Sequence, residues 1–136
     1  MKLTINILAL FLATLITTAL AGGFKASCEV QKATFVQHRI PDPDRYWMEL
    51  PCRSRNGKMN LSAINLNSCF GNSGGRLVWP GSNFLGSCQD VSTRVSGEKV
   101  VMSARCQKAG VLQGGRTEID LNFHVTNIDG FPVCDR

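Results

Sequence analysis

Apolar positions in this chain come in short runs alternating with polar ones, and no window keeps the spacing of an amphipathic helix. Tyr46-Trp47-Met48-Glu49-Leu50 alternates over five residues and predicts a strand returning to Cys52. Further strands are predicted from Gly23 to Val30, Met59 to Asn65, Val91 to Val95, Lys99 to Cys106, Arg116 to Leu121 and Val125 to Val133. Turn chemistry separates them: Asn56-Gly57, the glycines from Gly71 to Gly75, Ser96-Gly97-Glu98, and a glycine-containing loop ending at Gly115. Leu66-Asn67-Ser68-Cys69 reads as a corner of one helical turn. Pro41 and Pro43 lack amide donors, so Ile40 to Tyr46 is an inserted loop at the tip of a hairpin. The class is all-β with short strands.

The pattern is written twice. Ala63-Ile64-Asn65-Leu66-Asn67 returns as Glu118-Ile119-Asp120-Leu121-Asn122, and Asn72-Ser73-Gly74-Gly75 returns as Asn127-Ile128-Asp129-Gly130. Phe24 to Cys28 matches Phe84 to Cys88, and Cys52 matches Cys106. The offset is 60 at the first cysteine, 54 at the second and 55 at the isoleucine, a drift that indicates duplication with loop insertions. Repeat one runs over about residues 22–81 and repeat two over about 82–136, with Pro80-Gly81 as a hinge between them. Each repeat is too short to stand alone, so both are expected to fold as one domain over residues 22–136.

Residues 1–21 read as a signal peptide: a basic start at Lys2, an apolar run from Ile5 to Leu20, and the small-x-small pattern Ala19-Leu20-Ala21. No later segment is long and apolar enough to span a bilayer. The expected product is secreted, and its net charge falls from +5 to +4 once Lys2 is removed. Six cysteines in such a chain argue for a disulfide framework with 15 formal pairings. Repeat symmetry favours Cys28 with Cys52 and Cys88 with Cys106, which leaves Cys69 to pair with Cys134. Without a C-x2-C knuckle there is no case for a zinc site, and no cofactor or metal is expected.

The basic residues are scattered singly, with Arg53, Arg55 and Lys58 the densest group, so a nucleic-acid stripe is not indicated. Catalysis finds little support. His38 and His124 are far apart in the repeat scheme, neither has a Ser or Cys nucleophile in a recognisable setting such as a strand-to-helix elbow, and nothing pairs Glu29, Glu49, Asp90 or Glu118. His124 replaces the cysteine found at Cys69 and reads as a packed structural residue. Asn60-Leu61-Ser62 is an N-glycosylation sequon. The duplicated Asn, Ser and Gly turns either serve turn geometry alone or supply the paired donors and acceptors that sugar hydroxyls require.

In order, the chain shows F-x-x-S-C, a second cysteine, S-x-I-N-L-N-x-C-x-G-N-x-x-G-x-L-V-W, S-N-F-x-x-S-C, another cysteine and I-D-L-N-x-H-V-x-N-I-D-G-x-x-V-C. It thereby resembles the cyanovirin-N homology family, in a secreted fungal-type form, over residues 22–136. The resemblance implies a pseudo-symmetric tandem repeat in which each lobe is a three-stranded antiparallel sheet plus a β-hairpin, with strands exchanged between repeats. It also implies a non-catalytic lectin for mannose-rich oligosaccharides, carrying up to one site per lobe and no metal. Lobe one's site maps onto Gly23, Lys25, Ala26, Ser27, Arg53, Arg55, Asn127, Ile128 and Asp129. Lobe two's maps onto Gly71, Asn72, Ser73, Gly74, Ser82, Asn83, Gly86, Ser87, Gln107 and Lys108. The family's best-known sugar-binding member has acids at the positions of Arg53, Gly71 and Gly86, which this chain has replaced.

Two functions follow as expectations. The first is binding of mannosyl glycans or glycoproteins, by a monomer or by a dimer swapped at the Pro80-Gly81 hinge. The second is a secreted interaction protein of the effector type that keeps the scaffold without the sugar sites.

Overall fold

The computed structural model describes residues 22–38 and 45–136. The expected signal peptide, Arg39 and residues 40–44 of the inserted loop lie outside the described residues, whereas Arg45 and Tyr46, expected in that loop, pair with His38 and Gln37 and already belong to the returning strand. Strands β1 (Thr34–His38), β2 (Arg45–Arg53) and β3 (Met59–Asn65) form one antiparallel sheet. A short hairpin follows, β4 (Gly71–Ser73) with β5 (Arg76–Val78). Repeat two supplies β6 (Cys88–Ser96), β7 (Lys99–Lys108), β8 (Val111–Leu112) and β9 (Thr117–Asp120), then the hairpin of β10 (Val125–Ile128) with β11 (Phe131–Cys134).

The hairpins are exchanged. β11 of repeat two packs against β3 of repeat one, and β5 of repeat one packs against β9 and β7 of repeat two. Each lobe is thus a sheet from one repeat closed by the hairpin of the other, as the fold expectation had it. The lobe-two sheet gains a fourth strand. After Cys106, Ala109 and Gly110 both adopt positive φ (50° and 77°) and turn the chain back, so that Val111 and Leu112 pair with Lys108 and Gln107.

Gly23 to Val30 is not a strand. Gly23 begins it with φ 80°, and 3-10 turns follow at Phe24–Ala26 and Val30–Lys32, leaving Cys28 a lone bridge to Cys52. Asn83 (φ 58°) likewise opens a 3-10 turn at Phe84–Gly86, and β6 begins only at Cys88. Tight winding swings Phe24 and Phe84 fully into the core, and burying an aromatic ring outweighs what the lost ladder bonds would have gained. The predicted Val125 to Val133 strand is broken at Asp129-Gly130 (φ 51° and 91°) into the hairpin that repeat symmetry required.

One core serves both lobes. Phe24, Phe70, Phe84, Met48, Leu50, Leu66, Met102 and Leu121 are all at 0% exposure. Cys28–Cys52 and Cys88–Cys106 staple equivalent places, each at a Cα separation of 4.0 Å, and Cys69–Cys134 joins the repeat-one corner to the repeat-two hairpin. Each closes a loop of a size that contributes about 3 to 4 kcal/mol in the chain-entropy picture. β6 carries a bulge between Gln89 and Ser92, where Asp90 takes φ 54°. The carbonyl that the bulge leaves unpaired accepts from the Arg116 guanidinium, which also reaches Ser103.

Candidate functional sites

The I-N/D-L-N phrase positions both expected sites. Asn65 Oδ1 accepts from the Asn67 amide and from Tyr46 at the start of β2, both at 3.1 Å. Asp120 Oδ1 does the same for Asn122 (3.0 Å) and for Val100 near the start of β7 (3.1 Å). The second asparagine then reaches across to the other repeat. Asn67 Oδ1 accepts from Leu85 N at 2.9 Å while its carbonyl takes Asn83 N at 2.7 Å. Asn122 Oδ1 accepts from Lys25 N at 3.0 Å while its carbonyl takes Gly23 N. Each asparagine therefore fixes the 3-10 turn that leads to the first cysteine of a lobe.

Lobe one gathers three segments. The Asn127 side-chain amide donates to Ser27 Oγ at 2.9 Å and to the Arg53 carbonyl at 2.8 Å, and its own oxygen accepts from Gly130 N at 2.9 Å. Arg55 N donates to Asp129 Oδ1 at 2.8 Å, tying the turn after β2 to the tip of the β10–β11 hairpin. Ile128 is 53% exposed between them. Gly23, Lys25 and Ala26 lie on the adjoining turn, and the Lys25 ammonium is drawn to Glu98 in the β6–β7 turn at 3.6 Å.

Lobe two repeats this geometry. The Asn72 amide donates to Ser87 Oγ and to the Gln107 carbonyl, each at 2.8 Å, and its oxygen accepts from Gly75 N at 3.0 Å. Gly71 packs tightly on the Ser82 backbone, and the Asn83 carboxamide lies over Gly86. Gly86, Ser87 and Gln107 line a groove of about 310 Å³ with Leu112 and Gln37. Gly74 and Lys108 line a second groove of about 880 Å³ with Arg76, Gln113 and Arg116. The expected lobe-two residues are thus not gathered in one groove: Gly86, Ser87 and Gln107 line the first, Gly74 and Lys108 the second, and Gly71, Asn72, Ser73, Ser82 and Asn83 line neither, with Gly74 standing where lobe one has Asp129.

Residue types pointed to the Arg53 to Asn56 turn as a whole but not to how it is held, and they missed Gln113. Ser54 Oγ and Lys58 N both bond to Asn56 Oδ1, at 2.5 and 2.9 Å, which locks the turn carrying Arg55. Gln113 packs on Gly75, and nothing in its neighbourhood of the sequence repeats. His124 stacks on Trp79 (ring centroids 4.5 Å, planes 19° apart) with Phe70 edge-on, as a packed residue does. Burial holds its imidazole below the usual range, against the opposing pull of Asp135 and Asp120.

The model of the CVNH domain matches residues 24–131. A Tuber borchii protein described as a cyanovirin-N homolog is 32% identical over 79 residues, 58% of this chain and 74% of that protein. Among solved structures, a MoCVNH3 variant in complex with (N-GlcNAc)4 superposes with TM-score 0.64 at 20% identity, covering 85% of this chain and 99% of that one. A microvirin–mannobiose complex gives TM-score 0.61 at 24% identity, covering 79% and 94%. At these identities the two structures show the fold alone.

Proposed function

This chain belongs to the CVNH family, whose members are carbohydrate-binding lectins, and from that premise we propose that it is a secreted, non-catalytic lectin for mannose-rich oligosaccharides with one shallow polar site per lobe. The observation that carries the reading is the twin amide bridge: Asn127 across Ser27 and Arg53, and Asn72 across Ser87 and Gln107. Each bridge fixes a hairpin tip against a 3-10 turn and leaves serine, asparagine and backbone groups at the rim. Such a rim matches the donors and acceptors that vicinal hydroxyls need, where any group left unpaired on binding is penalised. A similar fold is found in complex with mannobiose, and another with (N-GlcNAc)4, which supports a saccharide as ligand and sets the panel for its test.

The Arg53, Gly71 and Gly86 positions lack carboxylates, so affinity must come from the amides and hydroxyls that remain. A lone site is expected to hold a simple sugar at about millimolar strength, near −4 kcal/mol, and to gain from ligands that engage both lobes. Titration of isotopically labelled protein with mannobiose, longer mannosides and (N-GlcNAc)4, followed by amide shifts at Ser27, Asn127, Asn72 and Ser87, tests the reading. Silence toward every mannoside would remove it and leave the interaction-protein reading in its place.

A further inference from the structure

The sequon Asn60-Leu61-Ser62 lies in β3, where Asn60 pairs with Cys52 and Ser62 with Leu50. Cys52 and Leu50 are the buried, inward residues of β2, so Asn60 and Ser62 share the inner face of the sheet, over which the β10–β11 turn folds. Ser62 is 8% exposed, and its hydroxyl donates to the Gly130 carbonyl at 2.6 Å. Asn60 is exposed, yet its amide nitrogen lies against the same turn. A methyl placed on Gly130 would stand 2.8 Å from Asn60 Nδ2 and 3.3 Å from Ser54 Cβ. Gly130 donates its amide to Asn127 Oδ1 and Ser54 lies in the turn that carries Arg55, so Asn60 adjoins the segments that lobe one gathers.

We propose that Asn60 carries an N-linked glycan when the chain passes through a pathway that attaches one, and that its first sugars lie against the lobe-one site residues, leaving lobe two to bind other molecules. The donor is a lipid-pyrophosphate-linked oligosaccharide. The Asn60 Nδ2–C1 bond forms, the bond from that carbon to the pyrophosphate oxygen breaks, and the amide loses a proton as the pyrophosphate leaves. Transfer needs the Ser62 hydroxyl, which the folded protein seals against Gly130, so attachment precedes docking of the hairpin. A tethered sugar is presented at an effective concentration in the millimolar range, comparable with the expected strength of a lone site. Lobe two escapes because Gln113, which is outside any sequon, packs on Gly75 where Asn60 packs on Gly130.

Occupancy of lobe one rests on the lectin reading, whereas attachment does not. The test uses protein secreted from a eukaryotic host, the same protein after enzymatic glycan removal, the Asn60→Gln variant, and unglycosylated bacterial protein. Expected are a mass loss of one N-glycan on enzymatic treatment, none in Asn60→Gln, and shifted amides at Arg55, Asn127 and Gly130 only in the glycosylated form. Mannobiose should then titrate lobe two alone before removal and both lobes after it. Secreted wild-type protein without glycan mass overturns the proposal, as does a glycan that leaves these amides and lobe-one binding unchanged. If unglycosylated protein binds no mannoside at all, the lectin reading fails, while mass and amide shifts still decide attachment and contact.

Discussion

Asn72 donates its side-chain amide to Ser87 at 2.8 Å, and this single bond spans the boundary between the two repeats. Its counterpart, Asn127 to Ser27 at 2.9 Å, spans the same boundary in reverse across 100 residues of sequence. Equal geometry at such unequal separations follows from the exchange of hairpins. The segments that meet at each amide come from both copies, so neither repeat alone can assemble the arrangement proposed as a site.

Removing either amide should therefore disable one lobe and spare the other. Asn72→Ala leaves Ser87 Oγ and the Gln107 carbonyl without their donor, and Asn127→Ala does so for Ser27 and Arg53. A lost pair of partly exposed hydrogen bonds is expected to cost about 1 to 2 kcal/mol, or roughly 5- to 30-fold in affinity at that lobe. Lobe-resolved mannobiose titration of each single variant checks this. Equal weakening of both lobes by one substitution would contradict it.

The sequence made the duplication and the disulfide pairing legible, because cysteines and turn glycines recur at nearly fixed offsets, whereas the exchange of hairpins was implied only by the family resemblance. It did not make legible the 3-10 winding before Cys28 and Cys88. There the alternation of Phe24-Lys25-Ala26 resembles a strand, and only the left-handed backbone at Gly23 and Asn83 distinguishes it. Gln113 and β8 were hidden for a different reason: the loop after Cys106 is one residue longer than its counterpart after Cys52 and does not repeat its sequence, and a two-residue strand leaves no periodicity. Ser54 and Asn56 were visible as turn residues, but their support of Arg55 depends on a contact to Asp129 across 74 residues.

The second asparagine of each I-N/D-L-N phrase is predicted to be a stability residue. Asn67 is 7% exposed, and Asn67→Ala leaves the Leu85 amide without its acceptor in a buried place. That should cost about 1 to 3 kcal/mol, lowering Tm by about 4 to 8 °C for each kcal/mol in a domain near this size. Asn122→Ala, at a part-buried site, should fall at the lower end. Calorimetry of the two variants checks both the size and the order.

Asn83 and Gly86 are coupled through space. A methyl on Gly86 would lie 2.7 Å from Asn83 Nδ2, whereas the equivalent pair in repeat one is Gly23 with Ala26, where no side chain stands in the way. Gly86→Ala is expected to displace the Asn83 carboxamide and destabilise the protein by about 1 kcal/mol. Asn83→Gly with Gly86→Ala recreates the repeat-one pair and should restore most of the loss. A double-mutant cycle by denaturant unfolding should return a coupling of about 0.5 kcal/mol or more, and strict additivity would refute the contact.

His124 should make stability fall as the solution is acidified. Its imidazole is held below its usual value by burial against Trp79 and Phe70, with Asp135 and Asp120 pulling the other way. The unfolded chain binds a proton near pH 6.5, where the folded protein still resists it, so unfolding takes up a proton as pH drops through that value. The contribution is complete above about pH 6.5 and is lost progressively below it, until the folded imidazole also protonates. Glu118, lowered by its bond to Arg94, loses its contribution only in the more acidic carboxylate range. Denaturation midpoints between pH 7.5 and 5.5 should therefore decline in the wild type and stay nearly flat in His124→Phe, which keeps an aromatic stack without the titrating group. An unchanged slope in that variant would assign the pH dependence to another residue.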